Sequence, residues 1–91
     1  MAGFGGQSPL LQKLWYVYIL KCRTGIIYTG CTNNLEERIN RHNSGQVLAT
    51  KNLLPVEIVT YIVFTDKYKA YNFEKYLKTG SGRAFSKRHL H

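Results

Sequence analysis

Acidic residues are scarce in this 91-residue chain: five Asp and Glu stand against thirteen Lys and Arg, for a net charge of +8. That balance favours polyanionic partners, nucleic acid foremost, over a basic surface that serves solubility alone. Long apolar runs are missing as well. No stretch approaches the roughly 20 apolar residues that span a bilayer. No segment joins a lysine-rich face to a continuous apolar one, which disfavours membrane surfaces as partners. Cysteine is nearly absent. Cys22 and Cys31 make no disulfide framework and no C-x-x-C pair, so buried reduced thiols are expected, lying near each other at the ends of two strands. The opening Met1–Ser8 has neither the charged region nor the apolar run of a signal peptide, and a cytoplasmic location is expected. Nor is there a helix-turn-helix or zinc-finger pattern to read base sequence. Without internal repeats, the length suits one modest core. The expected organisation is a flexible lead-in over 1–13 and a single domain over 14–91.

What is present is ordered around residues 16–45. Trp15–Cys22 is rich in aromatic and β-branched residues, as a half-buried strand would be. Arg23-Thr24-Gly25 reads as a hairpin loop, and Ile26–Gly30 as the return strand. Leu10-Leu11 and Leu14 pack as a short turn or begin the first strand early. A three-residue loop sets Leu20 opposite Tyr28 and Tyr18 opposite Gly30, which makes Tyr18 and Tyr28 diagonal neighbours on one face. A two-residue loop would put the two phenols on opposite faces. Thr32-Asn33-Asn34 offers caps for a helix from Leu35, with Leu35 and Ile39 facing the core and Arg38, Arg41 and His42 on an adjacent stripe. Ser44-Gly45 closes it. Gln46–Leu54 reads as a loop in which Thr50 and Lys51 can reach a phosphate. Val56–Phe64 is the most apolar run, and the expectation is a central strand or one covered on both sides. Asp66 caps a helix over Lys69–Lys78, with Ala70, Phe73 and Leu77 inward and Glu74 at the stripe's edge. Gly80-Ser81-Gly82 breaks that helix, leaving Arg83–His91 as a final helical turn or a basic tail.

Tyr16-Val17-Tyr18, then Tyr28-Thr29-Gly30 ten residues on, then the helix Leu35–His42 together resemble the GIY-YIG nuclease family. GCTNNLEERINRHNSG is similar to the family's segment after its second motif. The likeness is strongest to small stand-alone members and runs through Pro55 and Glu74 to about Leu77. It implies an α/β (α+β) domain, a three-stranded antiparallel sheet flanked by helices. It also implies one divalent metal, Mg²⁺ or Mn²⁺, and hydrolysis of a phosphodiester. Carried over residue by residue, the resemblance makes Tyr18 and Tyr28 the motif tyrosines, Arg38 the helical arginine, His42 the histidine one turn later, and Glu74 the metal ligand.

These five make chemical sense together. Two phenols on one face can position a water, and either can take its proton if a cation lowers its pKa; Tyr18 is the favoured base and Tyr28 its rival. A packed aromatic core is the plainer use of Tyr16, Tyr61 and Tyr76. Arg38 can hold a phosphate oxygen through two donors, whereas Arg41 fits a solvated helix face. Glu74 is either an i,i+4 partner of Lys78 or the single carboxylate of a Mg²⁺ site completed by waters and phosphate oxygens. Many members carry an asparagine downstream of the metal glutamate; this chain has none after Leu77, and Ser81 or Ser86 are the candidate replacements. Lys51, Lys78, Arg83, Lys87 and Arg88 can pair with phosphates but carry no base code. The expected substrate is therefore DNA chosen by structure or strandedness, of the kind met in repair and recombination, with RNA also open. The chain is expected to act as a monomer. A non-catalytic nucleic-acid-binding module on the same fold is the rival reading, and a basic adaptor for an acidic protein is the third.

Overall fold

A computed structural model describes residues 13–91. The proposed lead-in and the Leu10-Leu11 turn lie outside the described residues, apart from Lys13. The elements run β1 (Trp15–Cys22), β2 (Ile27–Thr32), α1 (Leu35–Asn43), β3 (Val56–Phe64), α2 (Lys67–Leu77) and α3 (Gly80–His89). They form a three-stranded antiparallel sheet of order β2-β1-β3 with helices on both faces. No helix among the described residues is long and apolar enough to cross a membrane.

The hairpin follows the three-residue register. Cys22 N–H donates to Ile26 O at 2.8 Å, Gly25 takes φ +90°, and Tyr18 pairs with Gly30 and Leu20 with Tyr28. β2 continues two residues further than the motif suggests, to Thr32. Four consecutive β1 residues, Val17 to Leu20, have no exposed surface, because successive side chains enter opposite cores. On one face Val17, Ile19 and Cys31 pack against Ala70, Phe73 and Leu77 of α2 and Phe85 of α3. On the other, Tyr18, Leu20, Cys22 and Val56 pack against Leu35 and Ile39 of α1 and against Leu53 and Leu54. The two cysteines therefore sit on opposite faces of the sheet, not near each other; both are free and buried.

β3 corrects the sequence expectation more sharply. Among the described residues it is an edge strand, paired only with β1, and Ile58, Val59, Tyr61 and Val63 are each 39–50% exposed. The central place belongs to β1, whose pairing on both sides and double coverage need the unbroken apolar run. Both α1 and α2 touch β3, yet four of its apolar side chains stay open to solvent. The same geometry leaves Tyr16 only partly covered, tilted against the exposed Tyr61 with centroids 6.0 Å apart. Tyr76 is exposed too. None of these three is a core tyrosine.

Local capping sets the helix starts. Asn34 Oδ1 accepts from Glu37 N–H at 3.2 Å, and Asp66 Oδ1 from Tyr68 and Lys69 N–H, each cap contributing about 1 kcal/mol. α2 ends at Leu77 with Lys78 as its C-cap, and Gly80-Ser81-Gly82, expected to break the helix, instead form the first turn of a full helix, α3, capped by Thr79, where a turn or tail was expected. Its position depends on Gly82: a Cβ there would run into the backbone carbonyl of Tyr76. At Gly30 a Cβ would overlap the phenol end of Tyr18. Tyr18 is fully buried and cannot swing away. Gly30→Ala is accordingly expected to destabilise the fold by about 1–3 kcal/mol through overpacking, read as a lower urea midpoint; an unchanged midpoint would mean that the Tyr18 ring has room to shift.

Candidate active site

Tyr18 and Tyr28 meet on one face of the hairpin, ring centroids 6.3 Å apart. The last turn of α1 lays His42 edge-on to both, at 5.8 Å from Tyr18 and 5.1 Å from Tyr28. Tyr18 Oη lies 3.0 Å from His42 Nε2, and His42 Nδ1 lies 2.8 Å from Thr50 Oγ1. His42 and Thr50 have no exposed surface. Thr50 is thus a buried partner of the histidine rather than a phosphate contact. Sequence reasoning missed this role, since no local pattern ties residues 42 and 50; only the turn after α1 brings them together.

The protonation states follow from the surroundings. Burial first, then the neighbouring Tyr28, push the Tyr18 phenol up to about 12, and Arg38 only partly offsets this. Burial also holds His42 below its ordinary 6.5, with Arg38 and Arg41 adding to it. At neutral pH the phenol keeps its proton and the imidazole is uncharged. Tyr18 O–H then donates to Nε2 while Nδ1–H donates to Thr50, an assignment inferred from the partners. A linkage follows. The folded His42 binds a proton less readily than the unfolded chain, so stability is full above about pH 6.5 and falls as pH drops below it. The urea midpoint is expected to decline from pH 7 to pH 5 in the wild type and to flatten in His42→Gln; parallel declines in both proteins would place the acid sensitivity elsewhere.

Arg38 reaches the cluster from α1. It lies close enough to act on Tyr18, Cys31 and His42, and its Nε is buried without a hydrogen-bond partner. Arg41, by contrast, sits on the exposed flank 3.8 Å from Glu37, the solvated pair expected of it. Glu74 comes from α2. Its side chain is 15% exposed and its Oε2 is 2.8 Å from Lys78 Nζ, so the ordinary i,i+4 pair does form. The carboxylate also acts on Tyr18 and on Cys31, whose thiol burial pushes up, with Glu74 adding to it. Tyr18, Tyr28 and His42 are in mutual contact, and Arg38 from α1 and Glu74 from α2 lie within electrostatic reach of Tyr18. Tyr28, Arg38 and Glu74 reach the surface, while Tyr18 and His42 are sealed beneath them.

No three His, Cys, Asp or Glu side chains cluster among the described residues. Glu74 fits a hard divalent ion that keeps most of its waters, on condition that Lys78 yields its contact. Of the five basic residues expected to meet phosphate, Lys78, Arg83 and Lys87 line one cavity of about 430 Å³ that also touches Tyr28. Lys51 and Arg88 are exposed and do not line it.

Comparison with known proteins finds relatives in sequence and in fold. A family model described as the GIY-YIG catalytic domain matches residues 14–88. A UPF0213 protein of Clostridium perfringens is 47% identical over 64 residues, covering 69% of each chain. A UPF0213 protein of Staphylococcus saprophyticus is 42% identical over 67 residues, 72% of this chain and 82% of its own. The solution structure of a UPF0213 protein of Bacillus halodurans superimposes with a TM-score of 0.53 at 35% identity, covering 81% of this chain and 80% of that one.

Proposed function

We propose, from the premise that this chain belongs to the GIY-YIG nuclease family, that it is a divalent-metal-dependent endonuclease cutting phosphodiester bonds of DNA. Its choice of substrate is by structure or strandedness, since the basic residues offer phosphate contacts and no base code. Single-stranded or branched DNA, as arises in repair and recombination, suits that mode. One observation carries the reading: Arg38, whose buried Nε has no partner among the described residues, and Glu74 both lie within electrostatic reach of Tyr18, the phenol that meets Tyr28.

In the reaction a water oxygen bonds to phosphorus and the bond to the leaving oxygen breaks. Arg38 supplies donors to the phosphate oxygens as charge builds on them. Tyr28 is the phenol with exposed surface, and it is placed to orient the attacking water. Tyr18 has no exposed surface in the free protein, so it takes the water's proton only once the bound strand brings that water against its Oη, its own proton then passing to His42 Nε2 with Thr50 fixing the imidazole. Such a relay never requires a free phenolate at neutral pH. Glu74 would hold Mg²⁺ or Mn²⁺, whose chemistry when bound is to neutralise the leaving oxygen and the added negative charge.

Incubating the purified protein with labelled single-stranded, duplex and branched DNA, and with RNA, in Mn²⁺ or in chelator tests this directly. Metal-dependent nicking of DNA is expected. The second reading, a binding module without cleavage, draws on the Lys78–Glu74 contact and the missing downstream asparagine. It predicts salt-sensitive binding and no nicking in either condition.

A further inference from the structure

The cavity at the β2 edge touches the tyrosine cluster only through Tyr28, and the chemistry above makes no use of the rest of it. Its far wall is one stripe of α3: Arg83, Ser86 and Lys87 stand at i, i+3 and i+4 and line it together. No acidic residue lines it, and among the described residues neither Arg83 nor Lys87 has an acidic partner. Lys78 adds a third cation at the mouth, 6.0 Å from the Tyr28 ring centroid.

Ser86 is the decisive residue. It is 4% exposed, and its buried Oγ has no hydrogen-bond partner among the described residues. A helical serine ordinarily bonds back to a carbonyl one turn earlier; this one does not. A buried hydroxyl left unpaired weakens a fold, and here Ser86 lines a space that also meets Lys78, Arg83 and Lys87, beside apolar Ile27 and Leu77. What completes such a set is an anion with several acceptor oxygens.

We propose that this cavity is a phosphate subsite: Arg83, Lys87 and Ser86 grip a phosphate of the nucleic-acid strand beside the one being cut, and so fix the register of cleavage. The inference rests on the nuclease reading for its ligand, but not for its geometry. A phosphomonoester at a strand end and an internal diester share the chemistry that this set recognises.

Inorganic phosphate is the first probe, titrated into the ¹⁵N-labelled protein and followed by amide shifts. Saturable shifts are expected at Thr29, Arg83, Ser86 and Lys87, and they should weaken in Arg83→Gln and Ser86→Ala. Ser86→Ala removes an unpaired buried hydroxyl, so it should fold at least as stably as the wild type. In cleavage assays both variants should raise KM about tenfold, roughly one charge-assisted contact, and by more than they change kcat. Oligonucleotides with phosphorylated or hydroxyl ends, and with one neutral methylphosphonate beside the cut, separate the two sources. Dependence on the end group assigns a monoester; dependence on the internal charge assigns a diester; indifference to both overturns the subsite. Shifts spread evenly over surface lysines would overturn it too. A protein that binds phosphate along α3 but cuts nothing would instead remove the nuclease reading and leave the anion site standing.

Discussion

Replacing Glu74 by glutamine is expected to abolish metal-dependent cleavage while the protein stays folded and still binds DNA. Glutamine keeps the size of the side chain and loses only the charge. The structural loss is the ion pair with Lys78. Half of the lysine side chain is exposed, so that loss should come to no more than about 0.5 kcal/mol after solvent screening. The chemical loss is far larger. Glu74 is the carboxylate within electrostatic reach of Tyr18, and a neutral amide oxygen is a much weaker ligand for a divalent cation. A single group stabilising developing charge is worth about 10²–10³ in rate, and loss of the ion's neutralising charge should reach at least that. Single-turnover nicking in Mn²⁺ measures it, with the thermal midpoint as the folding control. DNA binding without metal should hold or tighten, since a negative charge goes and Lys78 is released toward phosphate. Nicking within a few-fold of wild type would reduce Glu74 to a lysine's helix partner and leave the fold without its cation site.

The hairpin was the most legible part of the chain, because loop length fixes parity. Reading Arg23-Thr24-Gly25 as a three-residue rather than a two-residue loop puts Tyr18 and Tyr28 on one face, and the observed register is the three-residue one. Asn34 and Asp66 were readable for the same reason: capping is local chemistry. The errors came where the answer lay in packing between distant segments. Val56–Phe64 and Trp15–Cys22 both read as apolar strands, and nothing within either says which will lie between two others. The excess hydrophobicity of β3 remains on the surface beside Tyr16 and Tyr61. Thr50 reads as a phosphate contact because a threonine beside a lysine in a loop has the right chemistry; its burial against His42 depends on how the chain turns after α1. The basic end was legible in composition but not in shape. That Arg83, Ser86 and Lys87 form one stripe requires a helix through Gly80-Ser81-Gly82, against the usual weakness of glycine in helices.

Arg38→Met carries the second large expectation, and it runs in opposite directions for activity and stability. Methionine retains the length and apolar stem that pack under the cluster. It removes a guanidinium whose Nε is buried and unpaired, a condition that costs about 1–3 kcal/mol when no partner is supplied. The variant should therefore melt at the same temperature as wild type or above it; 1 kcal/mol corresponds to about 4–8 °C in a domain of this size. Cleavage should fall by about 10²–10³, the effect of deleting one preorganised donor to transition-state oxygen. Arg38→Lys should recover only part of this, because an ammonium keeps the charge but not the two-pronged geometry. The substitution also reaches His42. Arg38 helps to hold that imidazole below its ordinary value, so without it protonation becomes easier in the folded state and the loss of stability below pH 6.5 should shrink. A less stable variant that cuts at the wild-type rate would show Arg38 to be a packing residue. A more stable one that cannot cut would show that the fold tolerates an unsatisfied cation because the substrate's phosphate satisfies it.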